Sequence, residues 1–97
     1  MLDYIIAEVN PKSGIMRDLH EEVLHCPCYI RCIEKGDRAL LKVDLGYDYM
    51  TLHTSVVLDF FFSKDGKILT IETNNTFYIL HALRSAPFPF SEELVRE

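Results

Sequence analysis

Between Tyr47 and Leu80 the chain alternates apolar and polar residues in short runs separated by turn-forming clusters. No other feature restricts the fold as much, because a period of two places successive side chains on opposite faces of a strand. Met50 to Phe62 reads as one long strand bent near His53-Thr54-Ser55. The alternation puts Val56, Leu58, Phe60 and Phe62 on one face of it and Val57, Asp59 and Phe61 on the other. Ser63-Lys64-Asp65-Gly66-Lys67 reads as a hairpin loop in which Asp65-Gly66 tolerates positive φ. Ile68 to Thr73 then pairs back. Asn74-Asn75 makes a tight connection to Thr76 to Leu80, again with residues that accept the left-handed region.

The N-terminal half extends the pattern. Tyr4 to Val9 alternates, with Ile5, Ala7 and Val9 on one face and Tyr4, Ile6 and Glu8 on the other, until Asn10-Pro11-Lys12-Ser13-Gly14 breaks it. Ile15 to Leu24 has the one helical period, with Ile15, Met16, Leu19 and Val23 grouped opposite Arg17, Asp18, Glu21 and Glu22. Ser13, or Asn10 with Pro11 behind it, is the expected N-cap, and Pro27 the stop. Cys28 to Glu34 alternates again. After Lys35-Gly36-Asp37, Ala39, Leu41, Val43 and Leu45 point one way. These runs predict a mainly β (α+β) domain: a small, strongly bent antiparallel sheet close to an SH3-like barrel, with one short packed helix. Its expected extent is residues 1–85, with 86–97 as an extended tail, because each proline of Ala86-Pro87-Phe88-Pro89-Phe90 fixes φ.

Ninety-seven residues suffice for one compact domain. A net charge of −5 with scattered Lys and Arg argues against sequence-independent nucleic-acid binding, which needs a basic face. Apolar runs such as Ser55 to Phe62 are too short to span a bilayer. The start of the chain has no basic n-region, so no signal peptide is expected. Three cysteines, Cys26, Cys28 and Cys32, then point to free thiols and a cytoplasmic setting.

The same cysteines, with His20 and His25, supply zinc-type ligands. Their spacing does not suit one ion. Cys28 and Cys32 on one strand stand about 13 Å apart at roughly 3.3 Å per residue. Small buried apolar side chains are the plainer reading of Cys28 and Cys32, and no metal or cofactor is expected. His25-Cys26 and His53/Ser55 hold the atoms of a nucleophile and base, but no strained elbow exposes either nucleophile. The acids Glu21, Glu22, Asp44 and Asp48 read as solvated surface charges. No catalytic residue is expected. Tyr29, Tyr47, Tyr49 and Tyr78, with Arg31 or Arg38, form a candidate stacking surface for a small ligand or nucleotide.

The lack of a catalytic geometry, together with more aromatic side chains than a one-sided sheet needs, points to a binding module rather than an enzyme. Turns held by a rigid barrel concentrate recognition, which selects His53, Thr54, Ser55, Asn74, Asn75 and Thr76, with Tyr47 and Tyr49 beside them. The run Phe60-Phe61-Phe62 puts aromatic rings on both faces of one strand, so Phe61 with Val57 faces away from the core. Burying such a ring is worth roughly 1.5–3 kcal/mol, so a cover is expected. The helix, the Phe88-Pro89-Phe90 tail or a second copy in a homodimer could supply it.

Three segments, Asn10-Pro11-Lys12-Ser13-Gly14-Ile15, Leu52-His53-Thr54-Ser55-Val56-Val57 and Ile71-Glu72-Thr73-Asn74-Asn75-Thr76-Phe77-Tyr78, resemble those of small uncharacterised proteins carried by phages and mobile elements of Gram-positive bacteria. The resemblance spans most of residues 4–82 and leaves out the cysteine-rich segment and the Phe88-Pro89-Phe90 tail. It implies a cytoplasmic single-domain protein that binds a host protein, and it brings no catalytic residues.

Overall fold

The computed structural model describes residues 3–83. Six strands, β1 (Tyr4–Pro11), β2 (Pro27–Cys32), β3 (Arg38–Asp44), β4 (Tyr49–Phe62), β5 (Ile68–Thr73) and β6 (Thr76–Ala82), pair in chain order, and β6 pairs back with β1. Every pairing is antiparallel, so the expected bent sheet is a closed barrel, compatible with the SH3-like class of small barrels. The helix α1 (Asp18–Val23) lies between β1 and β2. Residues 84–97, and with them the expected tail, lie outside the described residues.

Closure follows from β4. Its first part pairs with β3, from Asp44↔Tyr49 to Arg38↔Val56, and its second part pairs with β5, from Val57↔Thr73 to Phe62↔Leu69. One long strand thus belongs to both walls, as the bend near Thr54 anticipates. The interior holds Tyr4, Ile6, Leu41, Val43, Leu52, Val57, Phe60, Leu69, Ile71, Tyr78 and Leu80, all buried. Ala39, Leu41 and Val43 point inward together, as their alternation predicts.

Four register shifts rearrange the expected faces. They fall between Ile6 and Glu8, Ile30 and Cys32, Arg38 and Leu40, and Val57 and Asp59. A bulge puts two residues opposite one, so side chains beyond it change face. In β1 the buried positions are Tyr4, Ile6 and Val9, so Val9 joins the face of Tyr4 and Ile6 rather than that of Ile5 and Ala7. In β4 they are Leu52, Thr54, Val57 and Phe60. Val57 is therefore a core residue, and the expectation that it shares an outward face with Phe61 is corrected. Leu58, expected on the face of Phe60, is exposed at the bulge. Cys32 lies beyond a shift in β2 and is exposed, not buried.

The helix is shorter than its period predicts. The Ser13 hydroxyl accepts a hydrogen bond from Ile15 N (3.2 Å) in the turn before it, and Gly14 takes a φ of 80°. The N-cap therefore falls at Arg17, whose N–H donates to His20 Nδ1 (3.3 Å). Of the expected apolar face, Val23 is buried and Met16 packs on the core, while Ile15 and Leu19 are exposed. His25, at φ 68°, turns the chain out of α1. It is held there by His25 N donating to Ile6 O (2.7 Å) and Ile6 N donating to Cys26 O (3.0 Å). β1 and β2 pair directly only at Tyr4↔Cys28 and Ile5↔Pro27, and this exit from α1 continues the seam.

The phenolic O–H of Tyr47 donates to Glu22 Oε2 (3.0 Å), which ties the β3–β4 turn to α1, and Lys12 N donates to Asn75 O (2.8 Å), which ties the end of β1 to the Asn74-Asn75 turn. The bend of β4 sets the β2–β3 turn beside the Asn74-Asn75 turn, because Gly36 N donates to Val57 O (2.9 Å) and Asn74 N to Val56 O (2.9 Å); Leu83 N donates to Asp3 O (2.9 Å). Gly66 takes a φ of 74° in the β4–β5 hairpin, as expected. Asn74 and Asn75 do not use the left-handed region, because His25 is the one non-glycine residue with positive φ among the described residues.

Candidate functional site

The bend of β4 brings two of the sequence motifs together. Ser55 Oγ accepts from Asn75 N (3.2 Å), and Asn74 N donates to Val56 O (2.9 Å). Two threonines of these motifs face inward. Thr54 Oγ1 accepts from Ala39 N (2.9 Å) and donates to Ser55 O (2.7 Å). Thr76 is 2% exposed, and its backbone N and O both bond to Thr73 Oγ1 (3.0 and 2.9 Å). The hydroxyls of Thr54 and Thr73 thus serve the fold, because the bulge and the turn free backbone groups, those of Thr76 among them, that a short hydroxyl can reach inside a barrel. His53, Asn74 and Asn75 remain exposed and Ser55 half-buried.

The tyrosines do not form one surface. Tyr47 and Tyr49 are exposed. The Tyr47 hydroxyl is held by Glu22, and that hydrogen bond, with the carboxylate charge, raises its pKa. Tyr78 is buried, with its ring edge-on to His20 at 6.4 Å between centroids, and burial raises its pKa. Arg38 and Tyr49 sit at opposite ends of the β3–β4 ladder. They are about 20 Å apart at roughly 3.3 Å per residue. The set Tyr47, Tyr49, Tyr78 and Arg38 is therefore not one pocket.

The cysteines are also dispersed. Cys28 faces the core, where burial, followed by the charges of Asp3 and Cys26, pushes its thiol up to about 12. Cys26 is half-buried, its thiol donates to Glu22 O (3.3 Å), and burial raises its pKa. Among the described residues no group of three or more His, Cys, Asp or Glu side chains is placed to hold a metal ion. No helix among them is long and apolar enough to cross a membrane.

The outer wall of β4, β5 and β6 is different in kind. Phe61 pairs with Thr70, and Thr70 with Ile79; Ile68 pairs with His81, and His81 with Ile5. Phe61 and Ile79 thus flank Thr70 on either side, and Ile68 is two residues before Thr70 on the same face. Such diagonal neighbours stand about 7–8 Å apart, within reach of an aromatic side chain. Phe61 is 47% exposed and Ile68 39%, and Leu83, just beyond β6, is exposed too. The next row of the same face holds Asp59, Glu72 and Phe77. Here Lys35 pairs with Asp59 (3.2 Å), and Lys12 pairs with Glu72 (2.7 Å) while lying 5.1 Å from the Phe77 ring centre. An apolar face is thereby bordered on one side by two ion pairs. The outward position of Phe61 is legible from Phe60-Phe61-Phe62; Ile68 and Ile79 join it only once the β4–β5–β6 register is known.

No family model, curated protein or solved structure matches this chain.

Proposed function

We propose that the chain is a non-enzymatic binding module that takes a protein partner on the outer face of β4–β5–β6. One observation carries the reading: Phe61 and Ile68 lie side by side, outward, on a barrel whose interior is already filled by other residues. Exposed aromatic and branched apolar side chains on a rigid, hydrogen-bonded wall are what a partner's apolar groups can bury without ordering anything first. The ion pairs Lys35–Asp59 and Lys12–Glu72 form a polar rim on one side, the usual surround of such a centre. The resemblance to phage and mobile-element proteins makes a cytoplasmic host protein the partner class. His53, Ser55, Asn74 and Asn75 form a second, polar surface that could widen the contact.

The test is capture from host lysate with wild type, Phe61→Asp and Ile68→Asp as baits, with solution mass measured by light scattering. The expected result is one protein held by the wild type and lost from both variants, with all three baits equally folded. A wild-type dimer that Phe61→Asp dissociates would replace the host partner by a second copy. Equal capture by all three would move the site away from this face, and no capture by the wild type would count against the reading itself.

A further inference from the structure

A second spare surface lies where the β3–β4 turn meets α1. Tyr47, 78% exposed, stands in that turn, and its hydroxyl donates to Glu22 Oε2 (3.0 Å). Leu19, also exposed, is three residues before Glu22 and so lies on the same side of α1. Tyr49, 53% exposed, closes the turn opposite Asp44. Asp44 and Glu22 both act on Cys26, whose thiol pKa is raised by burial and then by these two charges. Leu19, Glu22, Asp44, Tyr47 and Tyr49 thus form one continuous surface around the half-buried Cys26.

Its carboxylates are oriented in advance. Glu22 accepts from Tyr47, Asp44 Oδ1 accepts from Gly46 N (2.8 Å), and Asp48 Oδ1 accepts from Tyr49 N (2.8 Å). Among the described residues none of these three acids forms an ion pair with a Lys or Arg. Asp18 and Glu21 on α1 add to the same sign, against the adjacent cations Arg17 at the N-cap and Lys42 two residues before Asp44.

Charge and apolar area together select the occupant. A second copy docked through the same patch would set these carboxylates against each other, and a nucleic acid or an anionic lipid surface would be repelled. A cation is drawn both by the carboxylates and by the faces of the tyrosine rings. A small free cation has nothing to bury against Leu19 and the rings. An arginine- or lysine-rich segment with apolar residues between its charges supplies both kinds of group.

We propose that the surface of Leu19, Tyr47 and Tyr49, bordered by Glu22, Asp44 and Asp48, docks a basic, partly apolar segment of a partner protein. It is separate from the β4–β5–β6 wall and does not rest on that reading. The experiment is amide NMR of the full chain titrated with a peptide of alternating arginine and leucine, beside spermine and a glutamate–leucine peptide of the same length. Two double variants lose the same net charge: Glu22→Gln/Asp48→Asn here, and Glu34→Gln/Asp37→Asn in the β2–β3 turn, away from the surface. The amide oxygens of the first can still accept from Tyr47 and from Tyr49 N, so the fold is kept.

The arginine–leucine peptide should move the Leu19, Tyr47 and Tyr49 signals, and the glutamate–leucine peptide should not. Glu22→Gln/Asp48→Asn should weaken binding about tenfold, and Glu34→Gln/Asp37→Asn should leave it nearly unchanged. Tyr47→Ser should weaken it as well. Equal weakening by the two double variants would overturn the proposal, because it would report net charge alone. Spermine binding as tight as the peptide's would overturn it in favour of a small cation, and no shift with any probe would overturn it outright. Shifts centred on Phe61 and Ile68 would overturn it while leaving the outer wall as the binding face. Phe61→Asp should keep the peptide shifts in place, so the two surfaces stand or fall independently.

Discussion

The bend of β4 and the outer wall of β4–β5 are built from the same strand, yet they spend their side chains in opposite ways. At the bend, Thr54 and Thr73 look like surface polar residues in the sequence but are buried, and their hydroxyls close backbone groups that the bulge and the turn leave open. A few residues on, Phe61 looks like core in the sequence but is 47% exposed, and no strand of the barrel lies over it. Side chains that the fold consumes are poor candidates for recognition. Those that the fold leaves over are better ones.

The sharpest way to break that contrast is to remove a consumed hydroxyl. Thr73→Val keeps the shape but leaves Thr76 N and O without their side-chain partner inside the barrel. Each buried group left unmade costs about 1–3 kcal/mol. For a domain of this size each kcal/mol lowers Tm by roughly 4–8 °C. Thr54→Val should behave alike through Ala39 N. Thermal melts check both, and capture of a partner by the folded fraction should be unchanged. A melt equal to wild type would mean that these hydroxyls are free for recognition after all.

Alkaline pH tests the interior without any substitution. The folded state holds Cys28 at about 12, against 9.0 for an ordinary thiol, and burial raises Tyr4 and Tyr78 as well. A raised folded pKa means that the unfolded chain gives up its proton first. The stabilisation is therefore complete below about pH 9 and is lost as pH rises toward 12. Tm should fall steadily over that window. At pH 8, native-state alkylation should label the exposed Cys32 quickly and Cys28 only on unfolding. Fast labelling of Cys28 would show an interior more open than its burial implies.

How much of this was legible in the sequence follows from the bulges. β3, β5 and β6 keep unbroken alternation through their buried positions, and Ala39, Leu41 and Val43 face inward as the pattern says. β1 and β4 each carry an extra residue, and one such residue inverts every side chain beyond it, which is why Val57 and Leu58 changed places. Nothing in Val56-Val57-Leu58 marks which residue bulges; closure against β3 and β5 decides that. The helix is shorter than its apolar period for a related reason. Ile15 and Leu19 have the helical period, but a six-residue helix gains its stability from docking, and the docking reaches Val23 and Met16 without them. Of the residues selected for recognition, Ser55 and Asn75 do meet, while the Thr54 hydroxyl is taken up by the backbone and Thr76 is buried, its backbone held by Thr73.

An acid limb should be weaker than the alkaline one. Burial, then the Arg17 charge, lowers the pKa of His20, whose Nδ1 accepts the Arg17 N–H at the start of α1. A lowered folded pKa in a base means that its contribution is complete above about pH 6.5 and is lost as pH falls. His20→Gln should flatten that limb in melts between pH 7 and 5, and an unchanged limb would place its cause elsewhere.

The smallest effect on stability, and the one that sharpens the comparison most, belongs to the outer wall. Phe61→Ser and Ile68→Ser remove side chains that no interior residue needs, and substitutions of that kind stay within roughly 0.5 kcal/mol. Their melts should overlay the wild type to within a few degrees while Thr73→Val falls well below it. A large drop for Phe61→Ser would mean that its ring belongs to the barrel's own packing. The contrast between consumed and spare side chains would then fail at the position that defines it.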